Sequence, residues 1–483
     1  MPKWRYIAQR ATTGELLDLE VPFLTRSDLT WSLSAAGSLK GTVSPDTGTL
    51  VAADGRPLFE EWNTLIYAEA DGEIRWGGIV VRSELSGSDW SVEAASFATY
   101  PNGIPFLAEF YGAVVDPADV VRLIWNHIQG FPDGNLGVVV TGTTNATVGS
   151  KSEAAASAAT AAYTAAKATY ESERDKYTAL RATATGQSKE LTQKRAALTD
   201  AKADLTAAKK TKDPTKIAAA QTAVNAAQNA VNAWEAAYKS ADSQADAQAA
   251  VRDRAKAAMD AANTKKKAAV KAMKDDGGAY KLLWWESPDC GEAISTLASD
   301  APFDFSEFHA WNADKTAITH EIRVQYPRAG RRRDDLSFIM GDNVITQPEP
   351  TSKGDDYANT IFGLGNGEGA AMVHTTSAVR DGRLRRVKVL SNKDTKLVAN
   401  LQAQTRDALI KAAANLEISQ IEVRDHPNAP IGAWALGDDI LVQADLPYLG
   451  RVAIWHRVVS WTLTSDSTAT LKLERSDSFT YGK

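Results

Sequence analysis

The sequence predicts an α+β protein. A body of tandem small antiparallel β barrels or sandwiches is interrupted by a long antiparallel α-helical coiled-coil hairpin. Three observations predict this class. Short β-type segments with turn signals occupy both ends of the chain, a stretch with long-helix composition separates them, and the larger residues of that stretch repeat every seven positions.

The first hundred residues have the pattern of short strands. The segments 4–8, 39–43, 64–70, 74–82 and 90–95 alternate or are rich in β-branched residues. Turn signals separate them at 46–48, 54–55 and 71–72. We therefore predict an N-terminal β domain over 1–100, formed by an antiparallel sandwich or barrel.

A helix is predicted in the mixed α/β segment 101–150. Asp116 is a suitable N-cap, Pro117 suits the first turn, and Gly130 ends the helix. Its apolar face consists of Val120, Val121, Ile124 and Ile128. A second helix is predicted from Ser287 to about Leu297, and these two helices are expected to flank the interruption.

The interruption, at 151–275, has the composition of long helices. Between 151 and 274, proline occurs once, at Pro214, and glycine once, at Gly186. A seven-residue period predicts a coiled-coil seam. Its members are Tyr163, Tyr170, Tyr177, Ala184, Leu191, Leu198 and Leu205 before the proline, and Ile217, Val224, Val231, Tyr238, Ala245, Arg252 and Met259 after it.

The two halves of this seam fit one antiparallel register. Folding the chain back near Thr211 sets Leu205 against Ile217, Leu198 against Val224, and Leu191 against Val231. The same register sets Ala184 against Tyr238 and Tyr177 against Ala245, so that large residues face small ones, whereas Arg252 opposite Tyr170 weakens the seam. The predicted tip consists of Lys210, Thr211, Lys212, Asp213 and Pro214.

Each arm of about 60 residues spans roughly 90 Å at about 1.5 Å per residue. Gly186 costs its arm about 1 kcal/mol. The alternative interpretation of this region is a disordered, alanine-rich linker. The paired register favours the hairpin, and the thin alanine seam leaves room for packing against a second copy.

The β pattern returns after the hairpin. We predict a second half of the body over 276–390, with strands at 318–326, 358–364, 372–377 and 384–390. The last segment, 391–483, is predicted to be a helix at 395–416 followed by a small β barrel with strands at 440–444, 451–463 and 468–474. Turns are expected at 437–439 and 465–467. The apolar face of the helix is formed by Leu397, Leu401, Ala408 and Leu409.

Charge and cysteine usage exclude several classes of protein. The formal net charge is −6, which argues against a sequence-specific nucleic-acid binder. The basic cluster 331–333 is followed directly by Asp334 and Asp335 and is predicted to be a solvated loop. Cys290 is the only cysteine, so neither an intrachain disulfide nor a cysteine zinc site is possible. With no signal-peptide core and no apolar run of about 18 residues, a soluble chain made in a reducing cytoplasm is expected.

Residues that carry chemistry do not form a recognisable motif. The histidines show no HExxH pattern and no close ligand spacing; they are His127, His309, His320, His374, His426 and His456. The glycines at 363, 365, 367 and 369 miss the GxGxxG spacing because Glu368 stands in the third position, so a turn between strands is favoured. Cys290 is interpreted as a buried small side chain. No catalytic, cofactor-binding or metal-binding residue is predicted, no cofactor is expected, and the chain is predicted not to be an enzyme, although a glycosidase-type carboxylate pair stays open.

Several segments, in order, resemble the minor tail proteins of long-tailed actinobacterial phages. In the N-terminal part they are WSLSAAGSLKGTVSP, LFEEWNTLIYAEADGEIRWGGIVV and SFATYPNGIPF. In the C-terminal part they are DYANTIFGLGNGEG, RRVKVLSNKDTKLVANLQAQTRDAL, WALGDDILVQ and RVVSWTLTSDSTATLKLERS. The resemblance covers about 1–130 and 280–483, and the hairpin departs from the common pattern.

The resemblance implies a structural hub of the tail tip, or baseplate, that forms a trimer. Such a hub joins the tail tube and distal tail ring to the tip, surrounds the end of the tape-measure protein and lines the DNA exit channel. The implied partners are a homotrimer, the distal tail protein, the tape-measure protein, other minor tail proteins, passing phage DNA and the host cell envelope. The implied location is the tail tip of the virion. Two alternatives remain: a tail-associated cell-wall hydrolase, and a host-recognition protein that uses the hairpin for attachment.

Overall fold

A computed structural model describes residues 3–349, 355, 357–413, 418–447 and 449–476. The chain divides into two compact units. The body comprises Met1–Lys151 and Asp275–Lys483, and the hairpin comprises Ser152–Lys274. The finer division of the body into segments at 100, 150 and 390 stays a prediction.

The elements before the hairpin are mostly strands. The strands are β1 (Trp4–Arg10), β2 (Leu16–Asp18), β3 (Phe23–Ser32), β4 (Ser38–Val43), β5 (Thr64–Ala70), β6 (Glu73–Ser86), β7 (Asp89–Ser96), β8 (Glu109–Gly112) and β9 (Val138–Thr141). The helices are α1 (Pro45–Gly48) and α2 (Pro117–Gln129), with a 3₁₀ turn at Phe97–Thr99.

The hairpin consists of α3 (Ser152–Lys210) and α4 (Pro214–Asp276), and the strand pattern then resumes. The later helices are α5 (Cys290–Asp300) and α6 (Val398–Ala413), with 3₁₀ turns at Trp284–Glu286 and Gly369–Ala371. The later strands are β10 (Tyr280–Leu283), β11 (Asp304–Trp311), β12 (Ile318–Gln325), β13 (Phe338–Ile339), β14 (Thr360–Leu364), β15 (His374–Ala378), β16 (Val387–Ser391), β17 (Gln420–Arg424), β18 (Asp439–Leu446), β19 (Gly450–Ser465) and β20 (Thr468–Arg475).

The two ends of the chain share one sheet. Within the described residues, twelve strands are hydrogen-bonded in the order β13-β18-β19-β3-β4-β7-β6-β5-β1-β2, with β20 and β17 branching from β19. The junction is the antiparallel pairing of β3 with β19, where Trp31 and Trp461 are directly opposite each other. Their rings stack with centroids 3.8 Å apart, and Trp434 packs edge-on against Trp461.

This shared sheet corrects part of the prediction. The α+β class with a long helical hairpin is confirmed, but the described residues form no closed barrel, neither at the N-terminus nor as the predicted C-terminal barrel. The physical reason is strand length. Strand β19 has 16 residues, so that 450–457 pair with β18 while 460–463 remain to pair with β3.

A second core lies beneath the first part of this sheet. Helices α2 and α5 pack with the sheet β11-β12-β9 and the ribbon β8-β10 around buried side chains that include Ile124, Trp125 and Leu297. The predicted apolar face of α2 is confirmed, since all four of its members are buried. Asp116 caps α2 by accepting a hydrogen bond from the Ala118 N–H at 2.8 Å.

A third sheet, β15-β14-β16, packs on α6, and it explains the glycine run. A Cβ atom at Gly363 would lie 2.5 Å from Cγ2 of Thr405, and one at Gly365 would lie 2.5 Å from the carbonyl oxygen of Thr395. Residues 365–373 connect β14 to β15, which confirms the prediction of a turn between strands. Leu401 is fully buried, and the end of the predicted helix, 414–416, lies outside the described residues.

Most of the remaining local predictions agree with the structure. The other predicted strands correspond to observed ones within a few residues. No range was predicted for eight of the observed strands, which are β2, β3, β8, β9, β10, β11, β13 and β17. Strand β3 was missed because its charged and polar residues break the alternation. The predicted turn at 46–48 is the single helical turn α1, which Pro45 begins. None of the helices that the structure describes is both long and apolar enough to cross a membrane.

Candidate functional site

The hairpin contains its own small apolar core. Leu191 and Leu198 of α3 and Val231 of α4 form one buried cluster, and Val224, Ala227, Trp234 and Tyr238 pack against it. Leu198 belongs to this cluster, and Val224, its partner in the predicted register, packs against it. Apolar packing in this unit is therefore concentrated on a narrow strip in the half of each arm nearest the tip.

The predicted seam residues fall into two groups. Ala184, Leu191, Leu198, Leu205, Val231 and Ala245 are buried. Tyr163, Tyr170, Tyr177, Ile217, Val224, Tyr238 and Met259 are half-buried. The sequence reasoning missed a second track on α4, which includes Trp234, Ala241 and Gln248. These residues also lie seven apart, but their mixed sizes and polarity hid the period.

Polar contacts join the two arms outside the apolar strip. Arg181 of α3 pairs with Asp242 of α4 at 2.6 Å. Where Tyr170 was predicted to face Arg252, the Arg252 guanidinium lies over the ring of Tyr177, 4.2 Å from its centroid. Nearer the base, the Lys266 ammonium lies 4.7 Å from the ring centroid of Tyr163. Charged side chains thus cover aromatic rings where the alanine seam is thin.

The predicted tip residues lie where α3 ends and α4 begins. Asp213 accepts hydrogen bonds from the backbone N–H groups of Thr215 and Lys216, at 3.0 and 3.3 Å, and so caps α4. Lys212 has a φ of +53°, in the left-handed region, which reverses the chain between Lys210 and Pro214.

Within the body, the two ends of the chain that lead to the hairpin are held side by side. The Ser150 N–H donates to the Gly278 carbonyl oxygen at 2.8 Å. Just before it, Val115 and Val148 form an antiparallel bridge. Both large cores of the body consist of body residues only. The body therefore holds the ends of the insertion together with its own contacts.

A buried histidine pair is the main polar feature that the sequence did not predict. His309 on β11 and His320 on β12 are direct cross-strand partners, and their Nδ1 atoms lie 3.2 Å apart. Eleven positions separate them along the chain, so the absence of close ligand spacing hid a contact that the β-hairpin creates. Phe97 packs on both rings, and Tyr67 stacks on His320.

A neutral His320 that carries its proton on Nε2 satisfies both hydrogen bonds of its ring. The Tyr67 hydroxyl donates to Oε1 of Gln9 at 2.8 Å, so it accepts from Nε2–H of His320 at 3.3 Å. Nδ1 of His320 is then the acceptor for Nδ1–H of His309. Burial, and secondarily the neighbouring His309, lowers the pKa of His320 to about 3. Glu307, beside His309, is held by three hydrogen bonds from residues 96–98.

The basic cluster at 331–333 corrects another prediction. Arg333 is buried and pairs with Asp335 at 2.7 Å and with Asp438 at 3.0 Å. These hydrogen bonds raise the pKa of Arg333, and the one from Arg333 lowers the pKa of Asp335 to about 2. Arg332 is exposed, as predicted for a solvated loop, and lies over the ring of Trp455. The sequence shows that two aspartates follow the arginines, but it does not show whether the ion pairs they form are buried or solvated.

The remaining polar features are the thiol of Cys290 and the side chains that could bind a metal ion. Cys290 is fully buried, as predicted, and burial raises the pKa of its thiol to about 12. Among the described residues, no group of three or more His, Cys, Asp or Glu side chains is placed to hold a metal ion.

Comparisons with known proteins give matches in structure only. No protein-family model and no curated protein matches the sequence. A tail protein from Neisseria meningitidis MC58 is 10% identical with a TM-score of 0.45, covering 98% of this chain and 97% of that chain. The prophage tail protein gp18 from Listeria monocytogenes EGD-e is 8% identical with a TM-score of 0.46, covering 98% and 95%. The 43 kDa tail protein of prophage MuSo2 from Shewanella oneidensis is 10% identical with a TM-score of 0.45, covering 98% of each chain. At these TM-scores the likeness says nothing about function, which has to come from the residues of the chain itself.

Proposed function

We propose that this chain is a structural protein of a phage tail, and that it forms part of the hub at the tail tip. One observation carries the proposal. The segments that resemble minor tail proteins lie at opposite ends of the sequence, yet two of them become neighbouring strands. WSLSAAGSLKGTVSP begins in β3 and RVVSWTLTSDSTATLKLERS includes most of β19, and these strands pair at Trp31 and Trp461. Two segments that resemble the same family are far apart in the sequence but adjacent in the sheet. A shared fold explains this better than chance similarity does.

The proposed role is to connect and not to catalyse. As a trimer, the hub would join the tail tube and the distal tail protein to the tip, contact the tape-measure protein and other minor tail proteins, and line the path of the DNA. A net charge of −6 suits a channel from which DNA must leave, because acidic surfaces do not retain it. The site would be the tail tip of the virion, after synthesis in the host cytoplasm.

The hairpin suits a contact role in this assembly. Its residues contribute nothing to the two large cores of the body, and the body holds its ends together. An insertion of this kind adds reach without stabilising the fold that carries it. This favours attachment to the host envelope through the hairpin as a second candidate function.

Electron microscopy of particles assembled with this chain tests the proposal. We expect antibody label at one end of the tail and, after three-fold averaging of the purified protein, a ring with a central channel. Label on the head, or along the whole tail, would contradict a hub at the tip.

A chain lacking residues 152–274 separates the roles of the hairpin. Intact tails that no longer adsorb to cells indicate host recognition, whereas lost tails indicate a scaffold. A clear zone in a gel containing host cell wall would instead reveal a hydrolase.

A further inference from the structure

Strand β16 and the segments on either side of it carry a basic and apolar surface that the proposed function has not used. Residues 380–396 contain seven basic side chains and two acidic ones: Arg380, Arg383, Arg385, Arg386, Lys388, Lys393 and Lys396 against Asp381 and Asp394. Apolar side chains are exposed among them, with Leu384 87%, Val387 51% and Val389 56% exposed. In the described part of the chain, Arg385, Arg386 and Lys388 form no ion pair. The net positive charge of this strip contrasts with the negative charge of the whole chain.

The backbone of β16 is also available for pairing. In the sheet order β15-β14-β16 it lies at the edge, and among the described residues it pairs with β14 alone. In such an edge strand, half of the N–H and C=O groups point away from the sheet. An exposed apolar edge strand is a template for another strand, and the basic side chains select what is added.

An edge of opposite charge exists elsewhere on the body. Strand β2 ends the large sheet, and the segment 15–20 around it has the sequence ELLDLE. Its acidic side chains, Glu15, Asp18 and Glu20, form no ion pair among the described residues. Leu19 is 50% exposed between two of them. In this segment Leu19 stands between Asp18 and Glu20, and on β16 Lys388 stands between Val387 and Val389.

We propose that the β2 edge of one copy of this chain docks on the β16 edge of a second copy. Opposite charges and exposed apolar side chains match across the two edges, and paired edge strands no longer expose backbone groups. The contact uses different surfaces on the two copies, so it repeats head to tail and closes into a ring when the rotation permits. This inference rests on the proposed function, because it identifies the surfaces through which a hub subunit meets its neighbour.

A nucleic acid is the competing occupant of a basic strip. Contacts to DNA are made mainly to phosphates by polar and basic groups. Three large apolar side chains exposed among the basic ones fit a protein partner better. The acidic, leucine-containing edge on the same chain supplies such a partner.

Charge reversal tests the docking. We expect Arg385→Glu with Lys388→Glu, and separately Glu15→Lys with Glu20→Lys, to weaken self-association at least tenfold in sedimentation equilibrium at low salt. The chain with all four changes should recover association, because the charges are again opposite. Unchanged association in both double variants would overturn the proposal, as would loss without recovery in the fourfold variant. Weaker binding of duplex DNA, with self-association intact, would assign the strip to nucleic acid instead.

Cross-linking separates this inference from the proposed function. Leu19→Cys combined with Val389→Cys should give covalent multimers of the chain in assembled particles under mild oxidation. Leu85→Cys with Val389→Cys is the control, since Leu85 lies on β6 and is similarly exposed, 59% against 50% for Leu19. Chains present in tail particles without multimers would reject the docking and leave the tail role standing. Multimers in solution from a chain absent from particles would reject the tail role and leave the docking standing.

Discussion

Protonation of the buried His320 should destabilise the body as the pH falls. The side chain is 7% exposed, and both of its ring nitrogens are engaged, with Tyr67 and with His309. A second proton would have to sit on Nδ1, where the bond from His309 is accepted. The folded state therefore resists protonation, and the pKa of His320 is lowered to about 3 from an ordinary value of 6.5, first by burial and then by His309.

Proton linkage gives the sign and the size of the change in the free energy of unfolding. Below pH 6.5 the unfolded chain binds a proton at this residue, whereas the folded chain does not until about pH 3. The stabilisation is complete above pH 6.5 and is lost as the pH falls through this window. The slope is about 1.4 kcal/mol per pH unit, so one such group loses about 2.7 kcal/mol between about pH 6.5 and 4.5.

Urea unfolding at pH 7 and pH 4.5 measures this loss. Tryptophan fluorescence reports on the body, because Trp234 is the only tryptophan of the hairpin. Other titrating groups contribute to both chains, so the informative quantity is the difference between the wild type and His320→Gln, which cannot gain the charge. We expect the variant to be less stable at pH 7 but to lose about 2.7 kcal/mol less on acidification. His374→Gln, at an exposed histidine, should behave like the wild type. Equal losses in the wild type and His320→Gln would refute a buried, neutral His320.

The remaining predictions concern the hairpin and the thiol. Leu198→Asp or Val224→Asp should destabilise the hairpin by about 3 kcal/mol or more, because each places a charge beside the apolar cluster. Thermal unfolding followed by circular dichroism should show a lower melting temperature for the helices. The control Ala197→Asp, at an exposed position, should change this temperature little. Replacing residues 152–274 by a short glycine-serine linker should leave the fluorescence-detected unfolding of the body nearly unchanged, since its large cores contain no hairpin residue; failure of this chain to fold would contradict the division into two units. Cys290 should resist thiol reagents in the native protein at pH 8 and react fully in urea, because it is fully buried and its pKa is raised to about 12; rapid native labelling would show that the site is open.

The elements that the sequence predicted well are those set by local chemistry. A proline at the first turn, an aspartate cap and four apolar side chains at helical spacing identified α2. The alanine-rich stretch with its seven-residue period identified α3 and α4, because repetition along one helix is a property of the chain itself. Segments of alternating residues likewise identified most strands.

The elements that only the tertiary structure decided depend on partners far apart in the chain. The pairing of β3 with β19 joins residues more than 400 positions apart, so no local pattern distinguishes one shared sheet from separate barrels. His309 meets His320 only because β11 and β12 adopt one particular register, and Arg333 is buried because Asp438 comes to it from a distant turn. The sequence by itself determined which segments are helices and strands and that a hairpin interrupts the body. The tertiary structure decided which edges pair and which charges are buried, because both depend on free energies of contact between groups that the chain brings together only when it folds.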